Sequence, residues 1–164
     1  MNPLNLSNPH ADIFIPDSAE PSLATTRTTH LGVGAHQDDL EFMAMHGILE
    51  CYGKPDKWFS GVTCTNGGGS ARTGPFAGFS NAEMIEVRLG EQREAASVGE
   101  YGFMAQLGYS SSDIKGEKHD QFVEGLKDLL VASSPEVVYT HNPADKHATH
   151  IAVVTALILS LIHI

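Results

Sequence analysis

HLGVGAHQDD, residues 30–39, is the stretch of this chain that decides the fold. Residues 30–35 predict a short buried strand, and apolar residues recur at helical spacing from Leu40 onward. The residues between them therefore lie on a turn from a strand to a helix, and in open parallel sheets such turns hold the ligand-binding crevice. This turn carries a potential metal-ligand pair, His36 and Asp39, and a spare carboxylate, Asp38. That combination is typical of hydrolysis at a metal.

A second motif, HNPADKHATH at residues 141–150, supplies two histidines at the start of another predicted helix. It follows residues 136–140 (EVVYT), a short run of β-branched and aromatic residues that predicts a strand. If both strands belong to one parallel sheet, His147 and His150 leave it at the same edge as the first motif. One carboxylate and two imidazoles with an open fourth position form the ligand set of a catalytic zinc.

Each motif alone has an ordinary structural explanation. Aspartates such as Asp38 and Asp39 are favoured at helix N-termini for capping and for the helix dipole. His147 and His150 alone would be polar residues that open a helix. Two such motifs on matching strand ends favour a metal site over both explanations.

Strands and helices alternate along the predicted domain. This alternation predicts a Rossmann-like three-layer α/β/α sandwich with a mostly parallel sheet. Residues 1–28, with four prolines, are expected to form an irregular lead-in to a domain over residues 29–164. The predicted strands cover residues 30–35, 58–65, 103–107 and 136–140, and the predicted helices cover residues 40–52, 81–99, 120–132 and 148 onward.

The motifs resemble those of the PIG-L or LmbE-like zinc-dependent N-deacetylases, over roughly residues 29–153. Residues 35–39 (AHQDD) resemble the family's AHPDD motif, with Gln37 in place of proline, and residues 147–150 (HATH) resemble its HPDH motif. Residues 63–72 resemble the family's glycine-rich segment. The family's R..E...A pattern resembles Arg88, Glu91 and Ala95. Together these matches are fairly specific, although each alone is weak.

The resemblance implies roles for five residues. His36, Asp39 and His150 would bind Zn²⁺, although another divalent metal such as Fe²⁺ would fit. Asp38 would be the general base for a water molecule whose pKa the zinc lowers towards about 7. A protonated His147 would stabilise the oxyanion and then protonate the departing amine. The implied substrate is an N-acetylated amino sugar of the N-acetylglucosamine type, or its conjugate.

Several other polar residues have weaker interpretations. Arg72, after the glycine stretch 67–69, is a candidate contact for a polar or anionic substrate group. Asp145 is a candidate to orient a neighbouring imidazole, a role that the family's motif gives to an aspartate between its histidines. Arg88 and Glu91 are interpreted as an ion pair that packs their helix. His141 is interpreted as structural, although it ends a strand at the predicted site.

Two other functions stay open. One is a non-catalytic metal-binding or sugar-binding module, since residues 147–150 depart from the family's motif. The other is a non-haem iron oxygenase, because two histidines and a carboxylate also form that triad. The additional carboxylate of Asp38 favours hydrolysis.

Composition limits the partners and the location. A net charge of −10 argues against a nucleic-acid partner and a polybasic membrane contact. The first residues form no signal peptide, so we expect a cytoplasmic protein. The longest apolar run is too short for a membrane span, and the resemblance implies a small-molecule substrate. The apolar run over residues 151–164 ends without a cap, and we expect the chain to be a truncated reading of a longer protein. The oligomeric state is not predicted.

Overall fold

The computed structural model describes residues 6–116 and 118–164, and its centre is a five-stranded sheet in the order β1-β4-β3-β2-β5. All neighbouring strands are parallel except β1 and β4, which are antiparallel. The strands are β1 Asp12–Phe14, β2 His30–Gly34, β3 Phe59–Thr65, β4 Met104–Tyr109 and β5 Val137–Thr140. The helices are α1 Pro21–Thr26, α2 Asp39–Met43, α3 Met45–Cys51, α4 Asn81–Val98, α5 His119–Ser133 and α6 Ala148–Ile162, with a short 3-10 helix at Gly74–Phe76.

Two apolar clusters cover the two faces of the sheet. One cluster joins Leu31 and Val33 of β2 to residues of α5 and α6, including Phe122 and Leu157. The other joins residues of α2, α3 and α4 to Phe59 of β3 and the start of β4. Helices therefore lie on both faces, and the predicted three-layer α/β sandwich is confirmed.

Small residues let the helices come close to the central strands. β2 and β3 are buried along their whole length, as expected for inner strands of a parallel sheet. A side chain at Gly61 would place its Cβ 2.7 Å from Leu40 Cδ1 and 2.8 Å from Met104 Sδ. The absence of a Cβ there allows α2 to pack directly on the sheet.

Two local expectations are corrected by the structure. The lead-in over residues 1–28 is not wholly irregular, because it contains β1 and α1; residues 1–5 lie outside the described residues. β1 forms the antiparallel edge of the sheet, and Pro21 occupies the first turn of α1, where a missing N–H costs nothing. The single helix expected over residues 40–52 is divided at Ala44, whose backbone leaves the helical region.

The sheet register brings three strand ends to one edge. Val33 of β2 lies opposite Thr140 of β5, and Gly34 lies opposite Thr63 of β3. The segments after β2, β3 and β5 therefore leave the sheet side by side. Among the described residues, no helix is long and apolar enough to cross a membrane.

Candidate metal centre

His36, Asp39 and His150, the three residues expected to bind zinc, lie together at this edge. His36 Nδ1 is 3.3 Å from Asp39 Oδ2 and 3.3 Å from His150 Nε2. His150 Nε2 is 3.7 Å from Asp39 Oδ2. His36 follows β2, Asp39 begins α2, and His150 lies in the first turn of α6.

These separations fit a tetrahedral zinc. With zinc–ligand bonds of about 2.0–2.1 Å, the ligand atoms of a tetrahedral site lie about 3.4 Å apart. Two further groups of possible ligands keep their atoms within 4.8 Å of one another. One contains His36, His147 and His150, and the other contains Asp39, His141 and His150. His150 belongs to all three sets, so it is the most constrained member of the candidate centre.

The electrostatics around Asp39 keep it ionised. Burial, the largest single influence, raises the pKa of Asp39, but hydrogen bonds from His141 and His36 together outweigh it. The pKa therefore lies well below the usual value for an aspartate. The backbone N–H of His36 also donates to Asp39 Oδ2 at 2.6 Å. A carboxylate at neutral pH is the form that a divalent cation requires.

His141, interpreted from the sequence as structural, is a buried neighbour of the candidate ligands. Its ring stacks on that of His150, with centroids 3.9 Å apart and planes 9° from parallel. Its Nε2 accepts the Ala35 N–H at 2.8 Å and lies 3.3 Å from Asp39 Oδ2. These contacts need different tautomers, because only a protonated Nε2 can donate to the carboxylate. In the sequence, His141 directly follows a predicted strand at the site, and this position is the signal that identifies it.

Asp145 orients His150. Asp145 Oδ2 is 3.0 Å from His150 Nδ1, and Asp145 Oδ1 accepts the backbone N–H of His147 at 2.7 Å. One carboxylate thus fixes both the loop before α6 and the ring whose other nitrogen faces the candidate metal position. The sequence suggested Asp145 for such a role, and the imidazole that it contacts is that of His150.

His147 lies at the N-terminus of α6, with an exposed side chain. Its ring meets that of His36 edge-on, with centroids 5.0 Å apart. Burial first, and then the positive charges that His150 and His36 can carry, lower the pKa of His147 below its ordinary value. This lowering favours the neutral form of the ring, whereas the role implied by the sequence uses a protonated ring.

Asp38 has an unusual backbone. Its φ of 77° and ψ of −19° lie in the left-handed region, which costs a non-glycine residue about 1–2 kcal/mol. Its amide donates to Gln92 Oε1 at 3.0 Å, and its carboxylate accepts from Arg88 Nη2 at 2.9 Å. Strained residues of this kind are concentrated at functional sites. Arg88 also pairs with Glu91 at 2.6 Å, so the interpretation as an ion pair omitted its contact with the site.

A cavity of about 780 Å³ opens beside the candidate ligands. Its wall includes the glycine stretch 67–69, the serines 110–112 of the loop after β4, and the cations Arg88 and Lys115. Arg72, the expected substrate contact, is not among the described residues that line it. Its guanidinium instead donates to carbonyl groups of its own loop, including Gly68 O at 2.8 Å and Ser70 O.

Fold and site together define an α/β protein with a candidate His/Asp metal centre at the carboxyl edge of a mostly parallel sheet. The chain belongs to the PIG-L family. The family model described as GlcNAc-PI de-N-acetylase matches residues 31–160, which include both motifs. Members of this family are generally metal-dependent de-N-acetylases.

A solved structure supports the fold. The crystal structure of GalB, the 4-carboxy-2-hydroxymuconate hydratase from Pseudomonas putida KT2440, matches with a TM-score of 0.69 and 19% sequence identity. The match covers 82% of this chain and 55% of that chain, so this chain spans about half the length of the hydratase. No curated protein matches the chain in sequence.

Proposed function

We propose that this chain carries the metal centre of a hydrolase that removes the acetyl group from an N-acetylated amino sugar of the N-acetylglucosamine type, or from its conjugate. The observation that carries the proposal is the triangle of His36 Nδ1, Asp39 Oδ2 and His150 Nε2, with sides of 3.3, 3.3 and 3.7 Å. The family match supports the amide as the bond that is cleaved.

In this proposal His36, Asp39 and His150 hold Zn²⁺. When bound, zinc lowers the pKa of a coordinated water molecule towards about 7 and polarises the amide carbonyl. The side chain of Asp38, on the same turn as two of the ligands, accepts the proton of the attacking water. Arg88 Nη2 donates to Asp38 Oδ2 at 2.9 Å and so holds the carboxylate of the proposed base in place.

His147 has the role of oxyanion donor. Its lowered pKa favours the neutral form, and a neutral imidazole still donates one hydrogen bond to the developing negative charge. Because a neutral ring is a poor acid, the protonated Asp38 is the better source of the proton for the departing amine. Asp38 would then act first as a base and afterwards as an acid.

The cavity supports a polar substrate. Asn66, Asn81 and Ser70 line it together with the backbone of the glycine stretch, and these groups can form hydrogen bonds with sugar hydroxyls. The cationic side chains that line the cavity are those of Arg88 and Lys115, and in this proposal they take the substrate-contacting role expected of Arg72. The proposed deacetylase domain covers residues 29–164, with β1 from the preceding segment at the edge of its sheet, and the cytoplasm is the expected location.

The first experiment combines zinc retention with acetate release. Native mass spectrometry of the zinc-loaded protein is expected to show one bound zinc in the wild type and in Asp38→Asn, and none in Asp39→Ala. Acetate release from N-acetylglucosamine conjugates is expected to fall by about 10²- to 10⁴-fold in Asp38→Asn, the usual contribution of a general base. Retention of zinc by Asp39→Ala would refute the ligand set.

Other outcomes identify the alternatives. Zinc retention without acetate release from any N-acetylated sugar would support the non-catalytic binding module. Oxygen consumption by the iron-loaded protein would support the oxygenase. Hydration of an unsaturated carboxylic acid, the type of activity in the name of the structural neighbour, would show that the shared fold carries that chemistry instead.

A further inference from the structure

The left-handed backbone of Asp38 is held by a glutamine from a distant helix. Asp38 donates its backbone N–H to Gln92 Oε1 at 3.0 Å, and Gln92 is only 1% exposed. The two residues are 54 positions apart. We propose that Gln92 is a positioning residue, which fixes the backbone of Asp38 and thereby aims its carboxylate at the substrate. This inference rests on the proposed role of Asp38 as the general base.

The orientation of the Gln92 amide is determined by its second partner. Gln92 Nε2 lies 3.0 Å from Glu41 Oε1, and an ionised carboxylate can only accept a hydrogen bond. The amide nitrogen must therefore face Glu41, which leaves the amide oxygen to face Asp38. A flipped amide would lose both contacts, so the side chain has one satisfied orientation.

A tyrosine fixes Glu41 in turn. The hydroxyl of Tyr101 donates to Glu41 Oε1 at 2.7 Å, and Tyr101 is only 1% exposed. Three side chains thus form a hydrogen-bonded series from Tyr101, three residues before β4, to the turn that holds Asp38. The other oxygen, Glu41 Oε2, is buried without a hydrogen-bond partner in the described part of the chain. The carboxylate is therefore held at one oxygen, the oxygen that the series uses.

Gln92 and Arg88 have separate tasks on Asp38. Arg88 contacts the carboxylate, whereas Gln92 contacts the backbone amide. Both come from α4, one turn apart. A backbone contact matters here because a left-handed residue turns its side chain in a direction that the right-handed conformation does not reach.

The test measures the backbone of Asp38 directly. Gln92→Met keeps the length of the side chain and removes both hydrogen bonds. Amide hydrogen exchange, followed by NMR, is expected to be about five- to tenfold faster at Asp38 in Gln92→Met, as the loss of one hydrogen bond implies. Ala96→Gly, a change at a buried residue one turn along α4, is the matched control for general loosening of the helix. It should leave the exchange of the Asp38 amide relative to its neighbours unchanged.

A double substitution that swaps the two side chains tests for rescue. Glu41→Gln combined with Gln92→Glu restores the contact with Asp38. The new amide nitrogen at position 41 can donate both to the new carboxylate at position 92 and to the hydroxyl oxygen of Tyr101, and that carboxylate still accepts the Asp38 N–H. Slow hydrogen exchange at Asp38 should return in this double variant. The kcat for acetate release, which should fall in Gln92→Met, should recover with it. KM and zinc retention should stay unchanged in all of these variants. If Gln92→Met does not fold, Gln92→Asn, which shortens the reach by one methylene, gives the same comparison.

Two results would overturn the proposal. One is a rate of amide hydrogen exchange at Asp38 that stays within twofold of the wild type in the Gln92 variants. The other is a double variant in which neither slow hydrogen exchange nor kcat recovers. Because the exchange measurement needs no turnover, it still decides the role of Gln92 if the wild type releases no acetate. In that case only the proposed function has failed.

Discussion

Replacing Asp145 by alanine is expected to weaken zinc binding about tenfold. Asp145 Oδ2 lies 3.0 Å from His150 Nδ1, and such outer partners of a metal ligand typically change metal affinity by about 10- to 100-fold. We expect the lower end because the Asp145 side chain is 32% exposed and water can take over part of its role. Since His150 belongs to every candidate ligand set, the loss is expected whichever set binds the metal.

The assay is competition for zinc with a chromophoric chelator. Asp17→Ala is the matched control, because Asp17 also accepts the amide two residues further on, at Ala19, and pairs with a cation, Arg27, but lies outside the candidate centre. Both variants lose one carboxylate that organises a turn. An unchanged zinc affinity in Asp145→Ala, or an equal loss in Asp17→Ala, would refute the proposed orientation of His150.

Three further changes have expected outcomes. Gly47→Ala should destabilise the protein by about 1–3 kcal/mol in urea unfolding, because the new Cβ would lie 2.4 Å from the ring of Tyr139. Glu83→Ala should lower the Tm by more at pH 7 than at pH 3. Hydrogen bonds from Ser80 lower the pKa of Glu83, so its contribution is fully present above the ordinary carboxyl pKa and is lost as the pH falls towards and through the lowered value. His141→Leu should weaken zinc binding about tenfold in the chelator assay, whereas His141→Gln, which keeps a donor, should weaken it less.

The main elements of the fold follow from local sequence patterns. Apolar runs and helical periodicity predicted β2 to β5 and α4 to α6 to within two residues at most boundaries. The start of α4 carries a local signal of this kind, because Ser80 and Glu83 form a capping box there. β1 was missed because three residues are too few to show a periodicity, and its place in the sheet depends on pairing with β4, whose paired residues are 90 to 94 positions away.

In the candidate site too, local motifs identify some residues, whereas other contacts depend on long-range packing. Motifs identify residues that share a turn, such as His36 and Asp39, and the assumption of a parallel sheet was enough to bring His150 beside them. Arg88 was not predicted as a site residue, because an ion pair with Glu91, three residues away, was a sufficient reason for its presence. Its contact with Asp38 crosses 50 residues and depends on how α4 packs, which no local pattern specifies.

The register between β2 and β5 sets the geometry of the whole centre. Thr140 lies opposite Val33, and its hydroxyl donates to Val33 O at 3.0 Å, so the two strands end in step. Side chains alternate along a strand, and a shift of one residue would turn the next side chain to the other face. His141 would then leave Asp39, and the loop that carries Asp145 and His150 would start from a different position. Two neighbouring parallel strands therefore supply the precision that a metal site needs, while the loops after them remain free to vary in the chemistry that they present.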